Sequence, residues 1–176
     1  MRILVYGFGA YREFPNNITE TIINALPSFA GLKTAVLPVR FNRRQFIDVL
    51  ERHKPDNVVG LGQCTRARTE IETRAINHKR ASDMGPLRPI RQSGAEFLPT
   101  TLNITLGSRV GRSDNPGDYV CNYSMYVILD YINRSAGEVK FGFLHIPHDV
   151  DPRKGTALVA RAIAQIQPNS RPTLRK

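Results

Sequence analysis

The chain has 176 residues, of which 41% are hydrophobic, the length of one ordinary domain with enough apolar side chains to build a core. No apolar run reaches the length of a membrane span, the N-terminus carries no cleavable signal pattern, and two cysteines cannot make a disulfide framework. The net charge of +10 raises the question of nucleic acid, but the cations are scattered and no helix-turn-helix, zinc finger or aromatic RNA-binding motif accompanies them.

Ile3-Leu4-Val5-Tyr6 is a continuous apolar run closed by Gly7-Phe8-Gly9, the pattern of a buried strand opening into a loop. The glycine pair is not a dinucleotide fingerprint, since the third glycine and the later acidic residue are missing. Asn16, Asn17 and Thr19 supply capping oxygens for a helix through Ile22, Ile23, Ala25 and Leu26 that stops at Pro27. The pattern then predicts a strand over 34–39, a helix over 43–53 with Phe46, Ile47, Val49 and Leu50 buried, and a strand over 57–61. Residues 69–76 read as extended, with Glu70 and Glu72 on one face, and 83–96 as a loop or arm. Residues 98–106 fit neither periodicity. A helix follows Cys121, then a strand over 140–146 carrying His145, and a last helix over about 156–166. This rhythm predicts one α/β domain, residues 1–166, as a three-layer α/β/α sandwich around a twisted, mainly parallel (mixed) sheet. A basic tail, 167–176, follows it. Ligands in such sheets gather at the carboxyl ends of strands, which groups Phe8–Tyr11 with Gly60-Leu61-Gly62-Gln63 at one mouth.

Cys121 follows the turn residues 113–118 and sits in the first turn of its helix, where unpaired backbone N–H groups and the macrodipole favour thiolate. The expectation is therefore a lowered thiol pKa. His145 closes an apolar strand just before Pro147, and a helix followed by a returning strand brings the two side by side. A thiol beside an imidazole, with a carboxylate to orient the ring, is the arrangement nucleophilic catalysis needs. At this level His148 competes with His145, Glu70 with Glu72, and Cys64 with Cys121. No Cys/His grouping has metal-site spacing, so neither metal nor cofactor is expected.

Several blocks, taken in order, resemble the pyroglutamyl-peptidase I (pyrrolidone-carboxylate peptidase) family. They are Gly7-Phe8-Gly9-Ala10-Tyr11 with Asn17; Leu37-Pro38-Val39; Lys54-Pro55-Asp56 with Gly60-Leu61-Gly62-Gln63; and Glu72-Thr73-Arg74-Ala75-Ile76-Asn77. Gly117-Asp118-Tyr119-Val120-Cys121-Asn122 is similar to the family's nucleophile segment, and Gly142-Phe143-Leu144-His145-Ile146-Pro147 to its histidine segment. The resemblance implies a Cys121–His145–Glu72 triad that removes an N-terminal pyroglutamyl residue through a thioester. It implies substrate contacts from Phe8, Tyr11, Asn17, Gln63, Tyr119 and Val120, and oxyanion donors at Cys121 and Arg80. It also implies a homo-oligomer, a dimer or tetramer, acting on N-terminally pyroglutamylated peptides; the composition itself predicts a cytoplasmic protein with no membrane partner and does not favour nucleic acid.

The chain departs from the family pattern at defined places. Ala10 stands for a proline, Arg12-Glu13 for a glycine pair, and Gln63-Cys64-Thr65-Arg66 for small residues. Arg80 is two positions early for the family's arginine, and the chain is short between Leu98 and Arg112. These changes keep two other functions in view: a cysteine amide hydrolase of different acyl specificity, and a non-catalytic basic binding protein on the same scaffold.

Overall fold

The computed structural model describes residues 1–11, 15–82, 84–135 and 138–167. In chain order the elements are β1 (Ile3–Phe8), α1 (Ile18–Ala25), β2 (Leu32–Leu37), α2 (Arg43–His53), β3 (Asn57–Cys64), β4 (Glu70–Glu72), β5 (Arg74–Ile76), β6 (Phe97–Pro99), β7 (Gly111–Ser113), α3 (Val120–Arg134), β8 (Lys140–Pro147) and α4 (Pro152–Ile166). Six strands form one sheet in the order β2-β1-β3-β8-β4-β7, while β5 and β6 pair separately. The first four of these are parallel, β4 runs antiparallel to β8, and β7 is parallel to β4.

β1, β3 and β8 read as near-continuous apolar runs because both of their faces are covered. On one face Phe46, Val49 and Leu50 of α2 and most of α3 pack over Tyr6, Phe8, Phe141 and Phe143. On the other, Ile18, Ile22 and Ile23 of α1 and Val159, Ala162 and Ile163 of α4 pack over Ile3, Val5, Leu61, Leu144 and Ile146. The result is a three-layer α/β/α sandwich around a mixed, mainly parallel sheet. α1 and α4 approach closely at Gly155, where an added Cβ would stand 2.7 Å from Ile22 Cδ1. The order of strand addition reverses between β1 and β3, with β2 on one side of β1 and β3 on the other, so the crevice beyond Phe8 and Gln63 is the sheet's topological switch point.

Asn17 caps α1 by accepting from Thr19 N at 3.0 Å, and Asn42 caps α2 by accepting from Arg44 N at 3.0 Å. The observed elements differ from the expected ones in several places, among them the strand expected over 57–61, which runs on to Cys64. The second strand is Leu32–Leu37, ending before Pro38, which has no N–H to give the ladder. α4 starts at Pro152 rather than near Thr156, because Asp151 caps Arg153 N and Lys154 N and a proline in the first turn begins a helix instead of breaking it. The extended stretch 69–76 divides at Thr73, whose N–H and hydroxyl both bond Ser113 O, at 2.7 and 3.0 Å. β4 stays in the main sheet and β5 leaves it for β6. Of the unassigned residues 98–106, Leu98 and Pro99 belong to β6, and 100–106 are an irregular run that buries Ile104 and Leu106 and donates two bonds, from Thr101 N and Leu102 N, to Phe141 O at 2.9 Å each. Of the expected tail, residues 168–176 lie outside the described residues, and Gln167 closes α4.

Candidate active site

Glu72 ends β4 and His145 lies near the end of β8. Both are buried, on the face covered by α3. His145 stands edge-on to Phe143, with ring centroids 5.1 Å apart, and its Nδ1 is 2.6 Å from Glu72 Oε1. Burial pushes the Glu72 carboxyl up, but the His145 hydrogen bond and charge, the Ser113 hydroxyl and Arg66 outweigh it, so the net shift is downward. An ionised carboxylate only accepts, so Nδ1–H donates and Nε2 is left as the basic nitrogen. Among the described residues, buried Glu72 Oε2 has no hydrogen bond of normal geometry; the nearby Ser113 hydroxyl is engaged with Asn115, with its Oγ 3.2 Å from Asn115 O.

Cys121 is the second residue of α3. Tyr119, the N-cap, makes no side-chain capping bond, so among the described residues no N-cap side chain takes up the first backbone N–H groups of the helix, which lie at the mouth of the sheet. Asn122 anchors that end, accepting from Ile76 N at 2.9 Å and donating to Ile76 O and His78 O at 2.9 and 2.8 Å. Cys121 Sγ lies over Gly62 of β3, where a Cβ would stand 2.8 Å from the sulfur. Gly62 is the register partner of His145, which places the sulfur over the strand that adjoins the imidazole's own. Among the described residues no hydrogen bond joins the two groups.

The Cys121 thiol differs from the lowered pKa expected at a helix N-terminus. It is pushed up to about 12 by burial first, then by Cys64 and the Glu72 charge, against smaller downward effects of Arg66 and its own backbone N–H. The helix end does act in the expected direction; desolvation simply exceeds it. Cys64, the other free thiol, is also raised, chiefly by burial.

Phe8, Tyr11, Asn17, Gln63, Tyr119 and Val120 line one cavity of about 120 Å³ that opens onto Cys121, with Val39 as a further wall. The Tyr11 and Tyr119 hydroxyls bond each other across it. Asn17 and Gln63 are also structural: Asn17 Nδ2 donates to Gly9 O at 3.0 Å, and Gln63 Oε1 accepts from Ile18 N at 2.9 Å. Arg12 and Glu13 lie outside the described residues. Among the described residues no group of three or more His, Cys, Asp or Glu side chains could hold a metal ion, and no helix is long and apolar enough to cross a membrane.

The family profile described as pyroglutamyl peptidase matches residues 103–155. The pyrrolidone-carboxylate peptidase of Halalkalibacterium halodurans is 31% identical over 168 residues, spanning 82% of this chain and 83% of its own. The chain belongs to the pyrrolidone-carboxylate peptidase family. A second member, from Alkaliphilus oremlandii, is 31% identical over 179 residues, covering 89% of this chain and 83% of its own. The pyrrolidone carboxyl peptidase of Thermococcus litoralis superposes with a TM-score of 0.83 at 21% identity, covering 92% of this chain and 91% of that one, a likeness of fold. The Thermus thermophilus pyrrolidone carboxyl peptidase gives a TM-score of 0.78 at 25% identity, over 92% and 98%.

Within this member of the family, Arg80 is not at the cavity wall. Its Nε bonds Asp118 Oδ2 at 2.7 Å and its Nη1 bonds Gly85 O at 2.7 Å, so it braces the turn before Cys121. Arg74 holds Asp114 of the same turn at 2.9 Å, and Arg66 Nη2 donates to Asn115 O at 2.5 Å. Arg66 and Val39 were not among the sequence-derived site residues. Val39 carried a signal, lying beside Pro38 at the end of a strand. For Arg66 the signal was its spacing of four and six residues from Glu70 and Glu72.

Proposed function

We propose that this chain is a cysteine peptidase that removes the N-terminal pyroglutamyl residue from peptides, with Cys121 as nucleophile, His145 as acid–base and Glu72 as the group that orients it. The observation that carries the reading is the 2.6 Å Glu72–His145 bond on the strand beside Gly62, over which the Cys121 sulfur lies at the end of an apolar slot.

At rest the proton stays on sulfur, since burial pushes the thiol up to about 12. Attack therefore runs together with proton transfer from Sγ to His145 Nε2, while Glu72 stabilises the imidazolium through Nδ1. The oxyanion forms against the open N–H groups of the α3 N-terminus, and one such donor is worth about 2.7–4 kcal/mol of barrier. The imidazolium returns its proton to the departing amine, the C–N bond breaks, and a thioester remains on Cys121. Water deprotonated by His145 then hydrolyses it and releases 5-oxoproline. Phe8, Tyr11 and Val39 offer the lactam ring apolar contact, and Gln63 and Val120 bring backbone groups to its amide. A free N-terminal ammonium entering the same slot would lose its water without gaining a partner, which favours the uncharged lactam.

The experiment is release of a fluorescent amine from a pyroglutamyl amide and from the matching prolyl amide, under reducing conditions. Wild type and Cys64→Ser are expected to cleave the pyroglutamyl compound selectively, and Cys121→Ala to be inactive. Equal cleavage of both amides would replace the pyroglutamyl specificity with a broader amide hydrolase, and inert wild type would remove the reading.

A further inference from the structure

The two carboxylates of β4 pose a question that register alone answers wrongly. Glu70 and Glu72 project from the same face, and the antiparallel pairing with β8 sets Glu70 opposite His145 and Glu72 opposite Phe143. Yet it is the diagonal residue, Glu72, that bonds the imidazole. The guanidinium of Arg66 explains the choice. Its Nη1 is 2.6 Å from both Glu70 Oε2 and Glu72 Oε1, and its Nη2 holds Asn115 O at 2.5 Å. Arg68 Nε lies 3.7 Å from the other Glu70 oxygen. Glu70 is thus occupied on both oxygens by cations from the β3–β4 connection, whereas Glu72 keeps Oε1 for Arg66 and His145 together.

We propose that Arg66 is a positioning residue for the triad, which holds the Glu72 carboxylate on His145, withholds Glu70 from it and fixes the turn leading to Cys121. This rests on the triad reading above. One planar fork does all three because its donors point in fixed directions; a lysine would bring the charge without the geometry. Among the described residues, the groups facing the pair are Cys64 of β3, Arg66 and Arg68 of the connection, Glu70 of β4, Cys121 of α3, His145 of β8 and the Ser113 hydroxyl of β7; His148 lies beyond, its Nδ1 3.4 Å from Cys64 O. Arg66 lowers both the Glu72 carboxyl and the Cys121 thiol, so its removal moves both upward.

The test compares wild type with Arg66→Gln, Arg66→Lys and the double variant Arg66→Gln/Glu70→Gln, in two assays. Pyroglutamyl-amide turnover reads kcat and KM across pH, and the pH dependence of Cys121 alkylation by iodoacetamide, in a Cys64→Ser background, reads the thiol without substrate. Arg66→Gln is expected to lower kcat roughly 10- to 100-fold with KM little changed, as for a displaced catalytic group. Both of its pH profiles are expected to move to higher pH. Arg66→Lys should return the profiles toward wild type while kcat stays low. The double variant should recover part of the lost kcat, because Glu70 no longer competes for His145; a merely structural arginine gives no such recovery. Superimposable profiles for wild type and Arg66→Gln, or no recovery in the double variant, would overturn the inference while leaving an active wild type as a peptidase. Were wild type inert on the amide, the alkylation profiles alone would decide: a shift in Arg66→Gln upholds the role of Arg66, and coincidence removes it.

Discussion

Cys121 is under two opposed influences, and their balance decides what kind of nucleophile it is. The open helix end and Arg66 favour thiolate, while burial and two neighbouring acidic groups favour thiol, and the second set prevails. Such a sulfur needs its base within reach at the moment of attack, so its exact position matters more than its resting ionisation. Gly62 sets that position. A Gly62→Ala side chain would meet both Cys121 Sγ and the Phe143 ring at 2.8 Å. The expected outcome is a kcat loss of roughly 100-fold, with a stability loss of about 1–3 kcal/mol, read by turnover and by denaturant unfolding of the same sample. For Glu72→Gln the expectation is a kcat loss of roughly 10³- to 10⁴-fold with the fold retained, because a neutral amide no longer fixes which imidazole nitrogen carries the proton. Thermal unfolding measured beside the kinetics checks it.

Among the elements, α3 carries the greatest structural demand, since it must present Cys121 at one end while its length is buried between α2 and the sheet. Its first turn is held by Asn122 on β5 and by the turn before it, which three arginines brace. Its middle is held by Asp130, buried and bonded by Arg43 of α2 at 2.9 Å and Arg91 of the 83–96 arm at 2.7 Å. Burial pushes the Asp130 carboxyl up, but the two arginines prevail and its pKa is lowered on folding. A lowered carboxylate contributes stability that is present above its unfolded pKa and is lost as pH falls through its folded pKa. Asp130→Asn is therefore expected to cost about 1.5–3 kcal/mol at neutral pH. The gap from wild type should shrink in acid, as urea unfolding across pH would show.

For the whole molecule, the chain carries a net charge of +10, while the described residues that line the slot opening onto Cys121 are neutral. Charge then acts on encounter rather than on the lactam itself. At low salt, pyroglutamyl peptides with acidic residues after the first should show higher kcat/KM than neutral ones. Added salt should erase the difference while turnover of a small neutral amide stays level. Much of this architecture was legible in the sequence, because its signals are local: apolar runs for β1, β3 and β8, the Phe46–Val49–Leu50 stripe of α2, and the Asn17 cap. What was not legible depends on contacts between distant segments. β4, β5, β6 and β7 are three residues each, too short for a period to register. The raised Cys121 thiol comes from burial, from Cys64 of β3 and from the Glu72 charge of β4, and the role of Arg66 appears only when β4 lies beside β8. The resemblance singled out Glu72 over Glu70, where spacing did not. The measurement that most directly tests the central claim is acid-quenched peptide mapping of the protein during turnover of a slowly hydrolysed pyroglutamyl ester. A pyroglutamyl thioester on the peptide containing Cys121, absent from Cys121→Ala, is the expected result; an acyl group on any other residue, or undiminished turnover by Cys121→Ala, would contradict it.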